Sequence, residues 1–222
     1  MSSIALHVAR RMPFTTTHHH HPKLMLRALS SSTHSAAGFS YPGARSLDQL
    51  VKLELLKSEP PCEIRRIWKT FHADKRDAVA TTLEASEFHH LTARAEAAPY
   101  LILPVYRRAG YFNMLSQFQQ SCFLVTYLEA FKANASTAPP CVAISLYDHL
   151  LKDKDLTLIR ADVINMLDRN ESQLLMQQLL ASYQHDEIYD HVDKFNNKPD
   201  AFDFEAYRLL LKDSSEQHST KG

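Results

Sequence analysis

Histidines and cysteines are the groups of this chain best suited to metal or nucleophilic chemistry, and their spacing assembles no reaction centre. The 222 residues include 13 His and 3 Cys. The cysteines at positions 62, 122 and 141 form no Cys-x-x-Cys pair, so the sequence predicts neither a zinc site nor a disulfide framework. A cysteine could act as a nucleophile with a distant histidine, but a small buried side chain in a strand is the simpler interpretation of Cys122 and Cys141.

Carboxylates and glycines give no catalytic pattern either. Asp148, Asp153, Asp155 and Asp162 lie among lysines and indicate a solvated turn. The chain has 4 Gly and no Gly-Lys-Ser/Thr motif, so a loop that cradles phosphate is not expected. We therefore predict that the protein is not an enzyme and holds no metal or cofactor.

Charge is distributed unevenly, although the net charge is zero. Residues 1–47 contain five Lys or Arg and no Asp or Glu, which leaves residues 48–222 with 20 basic and 25 acidic residues, a net charge of −5. A basic, acid-free, Ser/Thr-rich N-terminus is typical of an organelle transit peptide. We predict a mitochondrial transit peptide or disordered segment over residues 1–40, with processing near Leu29; a merely disordered basic tail is the alternative.

The net negative charge of residues 48–222 also limits the kinds of partner that the protein is expected to bind. Nucleic-acid binding needs a concentrated basic face, which residues 48–222 do not provide. No later segment reaches the roughly 20 apolar residues that span a bilayer. We expect neither a nucleic-acid partner nor membrane insertion.

Helices are predicted before and after a central group of strands. Ser46 and Gln49 suggest a capping box for a helix over 47–57, and a further helix is expected over 84–97. Between them, a helix that starts at Pro60-Pro61 has a predicted buried face of four apolar residues at helical spacing: Ile64, Ile67, Trp68 and Phe71. The C-terminal helices are expected at 170–183, with Asn170 and Gln173 as caps, around 188–195, and at 204–211.

The spacing of the apolar residues changes after residue 99 from the helical period to the alternation typical of strands. Strands at 100–106, 112–118 and 123–127 form a predicted antiparallel meander, with Gly110 at a positive φ in the first turn. Further strands are expected at 141–146 and 156–161, separated by a short helix around 147–151. The predicted class is α+β: a central antiparallel or mixed sheet of about five strands covered by helices, with helical N- and C-terminal portions. We place a single domain over 41–212 and a disordered tail over 213–222.

The order of the motifs resembles a known family. The motifs are residues 46–53, residues 64–72 with Ile-Trp-x-x-Phe-His, residues 99–104, Gly110-Tyr111, residues 118–129, residues 138–140, residues 156–160, Phe195-Asn196, and residues 202–204. Together they resemble the mitochondrial assembly factors that chaperone the β subunit of the ATP synthase catalytic head, over about residues 43–211. Three positions depart from the family pattern: Phe112 replaces an acidic residue, Asp155 replaces glycine, and Ala161-Asp162 replaces Gly-Glu.

The resemblance implies a chaperone of the mitochondrial matrix without catalysis or cofactor. It would act as a monomer, bind the unassembled β subunit and shield the interface that the α subunit later covers. Tyrosine and arginine commonly anchor such surfaces, and the candidate contacts are Tyr106, Arg107, Arg108, Tyr111, Phe112 and, nearby, Arg160. Ordinary turn or sheet packing is the alternative for each residue. A small matrix enzyme and a permanent accessory subunit of the synthase are the alternative functions.

Overall fold

One antiparallel sheet with helices on both faces organises the described part of the chain. The computed structural model describes residues 45–219, with side chains as far as Asp213. The predicted transit peptide and its processing site lie outside the described residues. The strands are β1 (Ala78–Leu83), β2 (Tyr100–Arg107), β3 (Gly110–Gln119), β4 (Cys122–Tyr127), β5 (Pro140–Tyr147) and β6 (Thr157–Val163). Their order across the sheet is β1-β6-β5-β4-β3-β2, and every neighbouring pair is antiparallel.

Helices precede, interrupt and follow these strands, so the predicted α+β class is confirmed. They are α1 (Leu53–Ser58), α2 (Pro61–Ala73), α3 (Ala85–Ala97), α4 (Leu128–Ala133), α5 (Leu151–Lys154), α6 (Arg169–Gln184), α7 (Asp186–Asn197) and α8 (Phe204–Ser219). Single 3-10 turns occur at Leu47–Gln49 and Pro199–Ala201. Over residues 45–219, no helix is both long and apolar enough to cross a membrane.

The predicted meander is confirmed as β2, β3 and β4. Gly110 has φ +139°, as expected for the first turn. In the second turn Gln120 and Ser121 both have positive φ, at 48° and 59°, which suits the right-handed twist of a tight hairpin. The sheet has a sixth strand, β1, that was not predicted; it pairs with β6 at the edge opposite β2.

The main hydrophobic core lies on the face of the sheet covered by α3 and α6. Leu101, Phe123, Ile144 and Ile159 of the strands pack with Leu91 of α3 and Leu179 and Tyr183 of α6. The opposite face carries two smaller clusters. Under α2, Ile64 and Trp68 pack on Tyr147 and Leu158, while under α4, Leu128 and Phe131 pack on Ile102 and Leu115.

The first predicted helix is broken in two. The Ser46 N–H donates to Gln49 Oε1 at 3.2 Å, as the capping prediction required, but one 3-10 turn follows and α1 starts only at Leu53. Leu47 and Leu56, which are nine residues apart, would face opposite sides of a continuous helix at 100° per residue. The break at residues 50–52 allows both to be buried in the cluster under α2.

The buried face of α2 differs from its prediction at one position. Ile64 and Trp68 are buried as expected, whereas Phe71 is 39% exposed and His72 is 2% exposed. The side chains that face the sheet are therefore spaced by four residues: Ile64, Trp68 and His72. The Trp68 indole donates to the Ile159 carbonyl of β6 at 3.1 Å, which fixes the helix on the sheet.

Four further boundaries are corrected. Helix α6 is capped by Asp168 and Glu171, not Asn170 and Gln173: Asp168 Oδ1 accepts from the Glu171 N–H at 2.8 Å. Strand β5 continues through Tyr147, so the short helix after it begins at Leu151. Strand β6 reaches Val163. Helix α8 extends to Ser219, beyond the predicted end at residue 211, and no proline or glycine interrupts it.

Candidate functional site

The β2–β3 hairpin carries five of the six predicted contact residues. Tyr106 lies opposite Tyr111, and Arg107 lies opposite Gly110, so Arg108 and Ala109 form the turn. The positive φ of Gly110 is what closes this turn, since other residues rarely adopt it. Two strands and a tight turn therefore place two tyrosines and two arginines at one end of the sheet.

The two tyrosines form an exposed aromatic pair held by α8. Tyr106 is 39% exposed and Tyr111 is 37% exposed, with ring centroids 5.7 Å apart. Arg208 of α8 donates to the Tyr106 hydroxyl at 3.3 Å, and its guanidinium lies 5.0 Å from the centre of the Tyr111 ring. Glu205 accepts from Arg208 at 2.6 Å, which anchors the guanidinium. The rings are thus fixed in position while their outer surfaces stay open to solvent.

The Arg107 side chain makes its contacts within the protein. Its guanidinium binds both carboxylate oxygens of Glu171, at 2.6 and 3.0 Å, and also donates to the Met166 carbonyl at 3.0 Å. It lies 4.8 Å from the centre of the half-buried Phe112 ring. The ion pair raises the pKa of Arg107 and lowers the pKa of Glu171. Arg107 and Phe112 therefore connect the hairpin to the start of α6.

Arg108 differs from Arg107 and Arg208, which both have partners within the protein. Its side chain is exposed at the turn, and no residue of 45–213 forms an ion pair or hydrogen bond with it. Because a cation of this kind has no partner within the described chain, it is the residue of the hairpin best placed to accept a carboxylate from another molecule.

Arg160 does not belong to the hairpin, which corrects its predicted position. It lies on β6, three strands away from β3, and is 1% exposed. Its Nε and Nη2 donate to Asp162 Oδ1 at 3.0 and 2.6 Å, and its Nη1 lies 2.8 Å from His72 Nε2. In this structure the guanidinium cannot reach a partner.

His72 completes this buried group, although no role was predicted for it. Its Nδ1 is 2.9 Å from the Trp68 carbonyl, so Nδ1 carries the proton and Nε2 accepts from Arg160. Burial, with the cationic Arg160 adding to it, lowers the pKa of His72 to about 4. The spacing of His72 from Trp68 and Ile64 could have revealed its inward position. We refer to His72, Arg160 and Asp162 as the buried ionic cluster.

Each of the three departures from the family pattern has a local contact in the structure. Asp155 adopts the left-handed conformation, with φ 52°, in which glycine is most easily accommodated. Its carboxylate accepts from the Ala85 N–H at 3.0 Å, at the start of α3. Asp162 retains an acidic side chain beside Arg160. At the third position, Phe112 supplies the ring on which Arg107 lies.

Nucleophilic and metal chemistry find little support in the described chain. Burial raises the pKa of the Cys122 thiol to about 11, which keeps it protonated at neutral pH. The three cysteines are free. Among residues 45–213, no group of three or more His, Cys, Asp or Glu side chains could hold a metal ion.

Comparisons with known proteins agree with the fold and the motifs. The chain is 26% identical over 173 residues to the human protein "ATP synthase mitochondrial F1 complex assembly factor 1", covering 77% of this chain and 52% of that protein. The zebrafish (Danio rerio) protein of the same name is 25% identical over 173 residues, with 77% and 57% covered. The chain thus spans about half the length of the curated relatives it matches. The profile of the ATP11 protein family matches residues 8–207, so the chain belongs to this family.

Proposed function

We propose that the protein is a non-enzymatic assembly chaperone of the mitochondrial matrix. It binds the unassembled β subunit of the ATP synthase catalytic head and shields its interface until the α subunit replaces it. The observation that supports this most is the match to relatives named as F1 complex assembly factors, which extends over 77% of this chain.

The physical basis of the proposal is the surface that an unassembled subunit exposes. A subunit taken out of a ring leaves an apolar interface uncovered, and such a surface aggregates. A chaperone must cover this surface and then yield to the true partner, so its contacts should be partly polar and moderate in affinity. Exposed tyrosines beside a free arginine are of that type.

The contact surface that we propose is the outer side of the hairpin. Tyr106 and Tyr111 provide apolar area, and Arg108 provides a positive charge that no residue of 45–213 pairs. Arg107 and Phe112 support this surface from the α6 side rather than touching the client. We leave Arg160 out of the proposed surface because its side chain is buried.

Affinity capture with the full chain as bait tests both the function and the surface. The wild-type chain should capture the β subunit without the α subunit from mitochondrial extract. Arg108→Glu should reduce capture at least about tenfold, because it removes a charge-assisted contact and adds repulsion. Lys152→Glu, a matched charge reversal at an exposed position of α5, should capture as the wild type does.

The possible results separate the proposals. If the wild-type chain captures no β subunit, the proposed client is wrong. If it co-fractionates with the complete synthase, the protein is an accessory subunit. If Arg108→Glu and Lys152→Glu capture equally well, the chaperone binds through another surface.

The proposed mitochondrial location can be tested separately from client binding. Removing residues 1–37 from the full chain should leave it in the cytosol, because the acid-free basic segment would be lost. Import of the shortened chain would contradict a transit peptide in this segment.

A further inference from the structure

The outward main-chain N–H and C=O groups are satisfied to different extents at the two edges of the sheet. On β2, the Phe118 N–H donates to the Pro99 carbonyl, so the main-chain groups of Tyr100, Ile102, Pro104 and Tyr106 point away from β3. Asn196 of α7 binds both groups of Tyr100, at 3.0 and 2.6 Å. Ile102 and Pro104 are buried and Pro104 has no N–H, so Tyr106 at the end of the strand is the outward position left exposed. This edge offers little to an additional strand.

On β1 the corresponding groups have no partner. The Val163 N–H donates to the Asp77 carbonyl at 2.8 Å, which identifies these opposed residues as a hydrogen-bonded pair. Because such pairs alternate along an antiparallel ladder, the main-chain groups of Ala80 and Thr82 point away from β6. Within residues 45–219 no hydrogen bond reaches these groups, and both residues are only half-buried.

The usual protection of an edge strand is also missing from β1. Its sequence, Ala-Val-Ala-Thr-Thr-Leu, contains no charge and no proline, and its register with β6 has no bulge. Proteins normally protect exposed edges with charges, prolines or bulges, because an open edge recruits other strands. An open edge of this kind is suited to binding an extended peptide through main-chain hydrogen bonds.

We propose that β1 binds an extended segment of the client as a seventh strand of the sheet. This inference rests on the proposed function, since the client is the unassembled β subunit. Ala80 and Thr82 would supply up to four main-chain hydrogen bonds. Arg65 of α2 donates to Thr82 Oγ1 at 3.1 Å and lies 3.4 Å from Glu84 Oε1. Its partly exposed guanidinium would face alternate side chains of the added strand and favour polar or acidic ones.

The same arginine argues against pairing with a second copy of the chain. Two β1 strands joined antiparallel would be related by a two-fold axis perpendicular to the sheet, so both α2 helices would lie on the same face. The two Arg65 side chains, each beside its own Glu84, would then lie on that same face near the junction, and like charges brought close together are destabilising. A client strand avoids this conflict.

Hydrogen exchange of single amides tests the proposal directly. In the full chain alone, the amides of Ala80 and Thr82 should exchange fast, while those of Val79 and Thr81, which point toward β6, stay protected. Addition of purified β subunit should slow exchange at Ala80 and Thr82 by at least about tenfold. Unchanged rates in a complex that forms would overturn the added strand and leave the proposed function intact.

Other outcomes of this experiment are also decisive. If no complex forms, the proposed function fails, and this inference fails with it. Protection of Ala80 and Thr82 in the chain alone that increases with its concentration would show self-association instead.

A pair of variants provides a second measurement. Thr82→Pro removes an outward N–H without removing a bond to β6, and it should weaken binding of the β subunit about tenfold with little change in Tm. Thr82→Val keeps the N–H and loses only the hydroxyl, so it should bind as the wild type does. Equal affinity of a folded Thr82→Pro variant would contradict the proposal, and if that variant does not fold, the exchange rates decide.

Discussion

The buried ionic cluster and the β2–β3 hairpin both contain arginines of the same sheet, yet their surroundings are opposite. Arg160 is 1% exposed and meets Asp162 and His72, whereas Arg108 is exposed and meets no residue of the described chain. Arg107 lies between these extremes, with Glu171 as its partner. The comparison teaches that a guanidinium already satisfied inside the protein contributes to stability, and an unsatisfied one is available for recognition.

The largest effect that we expect is from Arg160→Met. This change leaves the Asp162 carboxylate and His72 Nε2 without their donor in a buried site, which should cost about 3 to 5 kcal/mol of the free energy of unfolding. Urea denaturation measures the loss. The double variant with Asp162→Asn should be more stable than Arg160→Met alone, because the unpaired charge is removed. A loss below about 1 kcal/mol would show that the cluster is not a stabilising unit.

Acid should weaken the same cluster through His72. The pKa of His72 is about 4 in the folded protein and 6.5 as its ordinary value, so between these values the unfolded chain binds more protons. The free energy of unfolding should therefore fall as the pH decreases from 7 to 4, by up to about 3 kcal/mol. Arg160 and Lys75 oppose the imidazolium, and Asp162 favours it less strongly. His72→Gln should lose this component of the pH dependence; the same slope in both proteins would assign it to other groups.

The smallest effects should occur at the hairpin. Arg107→Ala removes a partly exposed ion pair and should lower Tm by about 2 to 4 °C, whereas Arg108→Ala should change Tm by less than about 1 °C. Calorimetry on the two variants makes the comparison. Glu171→Gln is the matched control for the Arg107 ion pair. It removes the negative charge that pairs with Arg107, while the glutamine can still accept from the Asp168 N–H at the start of α6. Equal shifts for the two arginine variants would remove the distinction between them.

The sequence predicted the local parts of the fold well. The meander from Tyr100 to Tyr127 has alternating polarity and a glycine at the turn, and it forms as expected. Strand β1 was missed because it pairs with β6, about 80 residues later in the chain, and no turn connects the two strands. Such non-local pairing leaves no short-range pattern in the sequence.

The candidate site was predictable at the hairpin and not at Arg160. Tyrosines and arginines around Gly110 identify an exposed turn from residue type alone. The burial of Arg160 depends on α2 lying over β6, a tertiary contact made by Trp68. One local signal was available: Asp162 is two residues from Arg160 on a strand, so both side chains share a face.

A contact near the start of the described chain sets a limit on N-terminal processing. The Tyr147 hydroxyl donates to the Arg45 carbonyl at 2.8 Å, and Leu47 is fully buried in the cluster under α2. A protease that cuts before Arg45 leaves both contacts in place, whereas one that cuts after Leu47 removes an apolar side chain from the core and the acceptor of Tyr147. The mature N-terminus of a stable protein should therefore lie at or before residue 45.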